Sequence, residues 1–151
     1  MSTNKNAKSI KDIMSSNVVW VAPNAKLSEV AQKMKANDCG CVLVGENDRL
    51  VGVVTDRDIV LRAVAACANM AQATAQDAMT AKVLYCRESD SLDAAAKNMA
   101  DNQVRRLVVL DANKRLVGVV SIGDVATTSL GESLTGTALS EICRPGLSAA
   151  A

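Results

Sequence analysis

The chain of 151 residues contains no histidine and no phenylalanine, and Trp20 and Tyr85 are its only aromatic residues. Without histidine, neither a Ser-His-Asp nor a Cys-His nucleophilic arrangement can be assembled. Two rings are too few for the stacking platform on which proteins hold single-stranded nucleic acid. The net charge is only +1, which gives no general attraction to nucleic acid or to an anionic membrane. No Gly-x-x-x-x-Gly-Lys-[Ser/Thr] phosphate loop occurs. The opening stretch, MSTNKNAKSIKDIM, is polar where a signal peptide needs an apolar core. No apolar run reaches bilayer length, and the most apolar helical stretch carries Arg62. These absences point to a cytoplasmic protein that is not an enzyme, with no membrane contact and no nucleic-acid partner.

Cysteine is present but unorganised. Cys39, Cys41, Cys67, Cys86 and Cys143 are odd in number and lack the spacing of a disulfide scaffold. In a reducing compartment most of them are expected to be free and buried. Cys39-Gly-Cys41 has the look of a metal or redox pair, yet no histidine exists to complete a site, and only Cys86 or Cys143 could join it as thiolates. The expectation is no metal.

What the sequence does have is a repeat. LVGVVTDRD at 50–58 returns as LVGVVSIGD at 116–124. Aligned outward from this phrase, Met14 meets Met79, Trp20 meets Tyr85, Leu27 meets Leu92 and Met34 meets Met99, with one residue gained at the turn LDANKR relative to GENDR. Each copy begins with a short β-prone run, VVWVA or VLYC. A helical stripe at i, i+3, i+4 and i+7 follows, Leu27–Val30–Ala31–Met34 or Leu92–Ala95–Ala96–Met99. Ser28 and Glu29 in one copy, and Asp90, Ser91 and Asp93 in the other, suit the helix start. Two apolar strands joined by a polar turn come next, and a closing helix starts near Asp56 or Ile122.

The expected fold class is therefore α/β of the α+β kind. Two βαββα repeats pack through their sheets with pseudo-twofold symmetry, because a unit of this size buries too little surface alone and its apolar strands need cover on both faces. The first repeat spans 8–66, a connector with some helix 67–73, the second repeat 74–130, and a C-terminal tail with a short helix 131–151. In that tail Leu134, Ala138, Leu139 and Ile142 form a weak stripe, stopped by Arg144-Pro145-Gly146 and expected to pack on the module or on a second chain.

Two such repeats, each ending in Gly-x-x-[Thr/Ser]-x-x-Asp, resemble a tandem pair of cystathionine-β-synthase (CBS) domains, a Bateman module. The motif reads Gly52-Val-Val-Thr55-Asp-Arg-Asp58 and Gly118-Val-Val-Ser121-Ile-Gly-Asp124. TDRDIVLRAVA and SEICRP further resemble small stand-alone bacterial members, including the hypoxic response protein type. The resemblance implies a regulatory module that binds adenosyl ligands (AMP, ADP, ATP, S-adenosylmethionine or NAD) in clefts between the repeats, and that pairs as a homodimer. It implies no cofactor. It assigns the ribose hydroxyls to Asp58 and Asp124, phosphate to Thr55 and Ser121, and the adenine pocket to Val18, Val19, Val83 and Leu84.

The same Thr/Ser-x-x-Asp spacing is also a helix capping box, with Asp in place of Glu or Gln. Capping and binding are compatible, since a helix start at a sheet edge also attracts anions. The copies differ beside it. Arg57 in the first could pair with phosphate; the second has uncharged Ile122-Gly123, and Arg105 or Arg106, placed on opposite faces by strand alternation, would supply the charge. Two unequal sites are expected, the first better suited to phosphate. Trp20 and Tyr85 are expected to fill strand-to-helix corners rather than stack on a base. Two other readings stand beside the sensor: an interaction or structural module without nucleotide binding, and a thiol redox sensor using Cys39 and Cys41.

Overall fold

The computed structural model describes residues 7–47, 49–128 and 131–145. The stretch before Ala7, Asp48 of the first polar turn and Gly146 of the tail lie outside the described residues. The fold is mixed α+β and contains two three-stranded sheets. Contacts divide the chain into two compact units. One is Val18–Val83; the other joins the N-terminal segment up to Asn17 to the chain from Leu84 onward. The units are thus offset from the sequence repeats, because the segment preceding each repeat's first strand belongs to the opposite unit.

In the first unit, β1 (Trp20–Val21) runs parallel to β2 (Cys41–Glu46), which pairs antiparallel with β3 (Arg49–Thr55). Helix α1 (Leu27–Asn37) lies between β1 and β2 in sequence and buries Leu27, Val30 and Met34. Val42, Leu43 and Val44 are all buried, as a strand covered on both faces requires. Helix α2 (Asp56–Ile59) continues as a wide π turn over Val60–Val64. The connecting stretch holds turns, fixed where the Asn69 side chain accepts from the Ala71 N–H, and the helix expected within 67–78 is α3 (Ala75–Ala78).

The second unit repeats this plan with β4 (Tyr85–Arg87), α4 (Leu92–Asn102), β5 (Arg106–Leu110), β6 (Leu116–Ser121) and α5 (Ile122–Ala126). It adds α6 (Gly131–Ile142), whose Ala138 and Ile142 join its core. The tail therefore packs back on this unit, leaving Leu139 exposed. Gln103, a left-handed residue that ends α4, holds α6 by donating from Nε2 to the carbonyls of Glu141 (2.7 Å) and Arg144 (3.3 Å).

The glycine of the repeated phrase now has a mechanical cause. Ser15 bridges to Val119 and Thr80 to Val53, so each leading segment closes the outer edge of a sheet. A Cβ at Gly118 would stand 2.7 Å from the Ser15 carbonyl oxygen, and one at Gly52 would stand 2.7 Å from the Met79 sulfur and 3.0 Å from the Thr80 carbonyl oxygen. Only glycine lets the segment cross. Ile10, wholly buried, anchors the N-terminal arm, and its N–H donates to the Asp90 carbonyl at 3.0 Å.

Several local expectations shift. The first strands are shorter than VVWVA and VLYC, although the carbonyls of Val19 and Leu84 still accept from Leu43 and Val108. Ser28 lies inside α1, whose N-cap is Lys26 with no side-chain cap; the backbone there is held instead by the Leu27 N–H on the Ala73 carbonyl. Ser91 does cap α4, accepting from the Ala94 N–H at 3.1 Å. Only Cys86 among the cysteines is buried; Cys39 and Cys41 are half-buried, and Cys67 and Cys143 are exposed.

Candidate ligand site at the strand-to-helix junctions

Both motifs sit where an inner strand gives way to a short helix, and both form the reciprocal capping box. Thr55 is extended, with φ −104° and ψ 162°; its N–H donates to Asp58 Oδ2 at 2.9 Å, and its Oγ1 accepts from the Asp58 N–H at 3.1 Å. Ser121 and Asp124 repeat this at 2.8 and 3.1 Å. The junctions are pinned alike, Asp56 N–H on the Gly40 carbonyl and Ile122 N–H on that of Arg105.

Two further Ser/Thr-x-x-Asp stretches occur in the leading segments, Ser9–Asp12 and Thr74–Asp77, and both close a capping box as well. There the hydroxyl donates to the carboxylate, at 3.4 Å in Ser9 and 3.1 Å in Thr74. Backbone N–H groups also reach these carboxylates, and both are held below the ordinary value: Asp12 by the Lys8 and Ser9 N–H groups, Asp77 by the Thr74 N–H and hydroxyl. In the motif boxes no hydroxyl-to-carboxylate bond forms among the described residues, so the O–H proton can donate to an incoming acceptor such as phosphate. The sequence signal for all four is the same and all four close a capping box; the added bond from hydroxyl to carboxylate sets the leading-segment pair apart.

The two motif sites are unequal, but not in the way charge alone implies. Thr55 and Asp58 are 5% and 4% exposed, whereas Ser121 and Asp124 are half-buried and Gly123 is exposed. The first carboxylate is committed to its cap; the second is reachable. Arg57 is exposed on the first turn of α2. Arg105 lies in a bend before β5 rather than in the strand, so alternation does not apply to it, and Arg105 and Arg106 are both exposed. Val18, Val19, Val83 and Leu84 are half-buried beside the first strands. The Trp20 ring lies over Gly45 of β2, where a Cβ would overlap it, yet it is 37% exposed, and Tyr85 is exposed as well.

Burial pushes the Cys86 thiol up to about 11, helped by the nearby Asp90 charge. Among the described residues no three Cys, Asp or Glu side chains gather to hold a metal, and no helix is long and apolar enough to cross a membrane.

Comparison with known proteins places this geometry. The CBS domain model matches residues 10–64 and 75–131. The CBS domain-containing protein YhcV of Bacillus subtilis is 37% identical over 134 residues, covering 89% of this chain and 94% of that protein. Hypoxic response protein 1 of Mycobacterium tuberculosis is 36% identical over 117 residues, covering 77% of this chain and 81% of its own. A CBS domain protein of Pyrobaculum aerophilum, solved in complex with AMP, superposes with a TM-score of 0.74 at 27% identity, covering 85% of this chain and 98% of that one. The chain belongs to the CBS-domain family and carries two CBS domains in tandem.

Proposed function

We propose that this chain is a non-catalytic, cytoplasmic regulatory module that binds an adenosyl ligand (AMP, ADP, ATP, S-adenosylmethionine or NAD) at its motif residues and works as a homodimer. The observation that carries the reading is the pair of reciprocal boxes at Thr55–Asp58 and Ser121–Asp124, each with its hydroxyl proton free to donate among the described residues. The AMP complex of the similar Pyrobaculum protein supports the choice of ligand class. Within the site, a carboxylate takes the cis-diol of the ribose and the hydroxyl meets phosphate. The reachable Ser121–Asp124 end fills first, reversing the order that Arg57 alone implies.

Thermal unfolding against AMP, ADP, ATP, S-adenosylmethionine and NAD, with GMP as control, tests this. A ligand at about 100 times its Kd adds about 2.7 kcal/mol, a visible rise in Tm. Asp124→Ala should abolish the rise for the ligand that gives it. A flat response across the panel favours an interaction module without nucleotide binding.

A further inference from the structure

Arg62, the charge that interrupts the most apolar helical stretch of the sequence, makes bonds that its place in a helix does not require. It sits in the π turn Val60–Val64 that continues α2. Its Nη1 donates to the carbonyls of Ala78 (3.0 Å) and Met79 (2.8 Å) and to Thr80 Oγ1 (3.2 Å). The two carbonyls stand at the C-terminal end of α3, where a helix leaves acceptors without partners. Single π turns are rare and recur at functional sites; this one is closed by the Ala65 N–H on the Val60 carbonyl at 2.8 Å.

The segment that Arg62 grips also closes β3. The Thr80 N–H donates to the Val53 carbonyl at 2.8 Å, the Val53 N–H returns a bond to the Thr80 carbonyl at 3.0 Å, and Met79 lies over Gly52. Val53 shortly precedes Thr55, the hydroxyl of the first motif, and Arg62 stands one turn beyond its carboxylate, Asp58. The contacts therefore form a ring: β3, the Thr55–Asp58 box, α2 with its π turn, the guanidinium, and 78–80 back on β3. Every residue of the ring lies within the unit Val18–Val83. Strand and helix on either side of the motif are fastened to one segment, so the angle between them cannot change without stretching the Arg62 bonds or lifting 78–80.

The second unit has the motif and the closing segment without this link among the described residues. Thr128 aligns with Arg62, and its hydroxyl donates within its own turn, to the Val125 carbonyl at 2.7 Å. Helix α5 ends at Ala126 with no π turn, and Ser15 and Val119 exchange backbone bonds of 2.9 and 3.0 Å.

We propose that Arg62 is a positioning residue that couples the first motif to the edge of β3: opening the Thr55–Asp58 box loosens the closure by 78–80, and a group settling on the box tightens it. The ligand reading supplies only what settles there. The coupling belongs to the empty chain and is reciprocal.

Amide hydrogen exchange of the full chain, followed by NMR without ligand, tests it. Asp58→Ala should speed exchange of Thr80 and Val53 by about 10-fold relative to Leu43, whose N–H is held on the Val19 carbonyl. In the Arg62→Gln background the same change should add less than about 2-fold, a non-additive cycle. Arg62 is exposed, so its substitution leaves the fold intact. Arg62→Lys keeps a cation with three donors and should restore the non-additivity. Thr55→Val opens the box from the hydroxyl side and gives the same readings should Asp58→Ala not fold. Asp124→Ala should leave Val119 unmoved relative to Val108, whose N–H is held on the Leu84 carbonyl. Additive effects at positions 58 and 62, or Thr80 exchange indifferent to the opened box, overturn the proposal. A non-additive cycle with no Tm rise across the ligand panel sinks the ligand reading and keeps the coupling; an additive cycle with a Tm rise does the reverse.

Discussion

Removing the carboxylate of Asp58 strands the Thr55 N–H in a buried place, while removing that of Asp124 exposes the Ser121 N–H to water. Urea unfolding should therefore find Asp58→Ala the costlier, at about 1–3 kcal/mol, against about 1 kcal/mol for Asp124→Ala. Ligand binding should show the opposite order, because the reachable carboxylate is Asp124. Reactivity is equally residue-specific. At pH 8 an alkylating reagent should modify Cys67 and Cys143 rapidly and spare Cys86 until the chain unfolds; mass spectrometry of the modified protein reads this directly. The motif residues were legible in the sequence because hydroxyl and acid recur at fixed spacing. Their ranking was not, since Arg57 advertises charge while the burial of Asp58 depends on everything packed around it.

At the scale of elements, the leading segments matter most. Gly118→Ala drives a methyl group into the Ser15 carbonyl, so the N-terminal arm should lift from β6, with a loss of about 1–3 kcal/mol. Gly52→Ala meets the flexible Met79 side chain as well as the Thr80 carbonyl oxygen, and should cost less. Limited proteolysis near Ser15 should detect the freed arm in Gly118→Ala. Asp77 gives the corresponding segment 74–80 a pH dependence. Its carboxyl is held below 3.8 when folded, so between that folded value and 3.8 the unfolded chain binds the proton and the folded one does not. Stability is full above this window and falls as pH drops through it; Asp77→Asn should flatten that part of an acid titration followed by circular dichroism. Helix stripes and strand pairs were readable from periodicity. The exchange of leading segments was not, because a Ser/Thr-x-x-Asp cap names a helix start and never says which sheet the helix lies on.

For the whole molecule, the compact unit and the sequence repeat predict different fragments. A fragment 18–83 retains the segment that closes β3 at Thr80, whereas a fragment 8–66 leaves that edge and Gly52 uncovered. Units of this size are marginal, so the missing edge should decide the outcome: 18–83 melts cooperatively and 8–66 does not. The asymmetry of cover is also a whole-chain property. One unit uses the chain's own α6, held by Gln103, while the other presents Asp38 over an open groove. Cutting the chain after Thr128 should therefore expose Met99 and Val125 and destabilise the second unit selectively, seen as a lower Tm for that unit alone.

The sequence by itself determined the repeat, the order strand–helix–strand–strand–helix in each copy and the identity of the capping pairs, because period, spacing and turn chemistry are local. It also excluded a nucleophilic arrangement built on histidine, since a missing histidine needs no coordinates to interpret. Tertiary structure alone decided which leading segment closes which sheet, why the phrase needs glycine at 52 and 118, where α6 lies and which motif carboxylate stays within reach. Each of these depends on atoms brought together from distant parts of the chain, and burial is a property of those neighbours rather than of the residue that bears it.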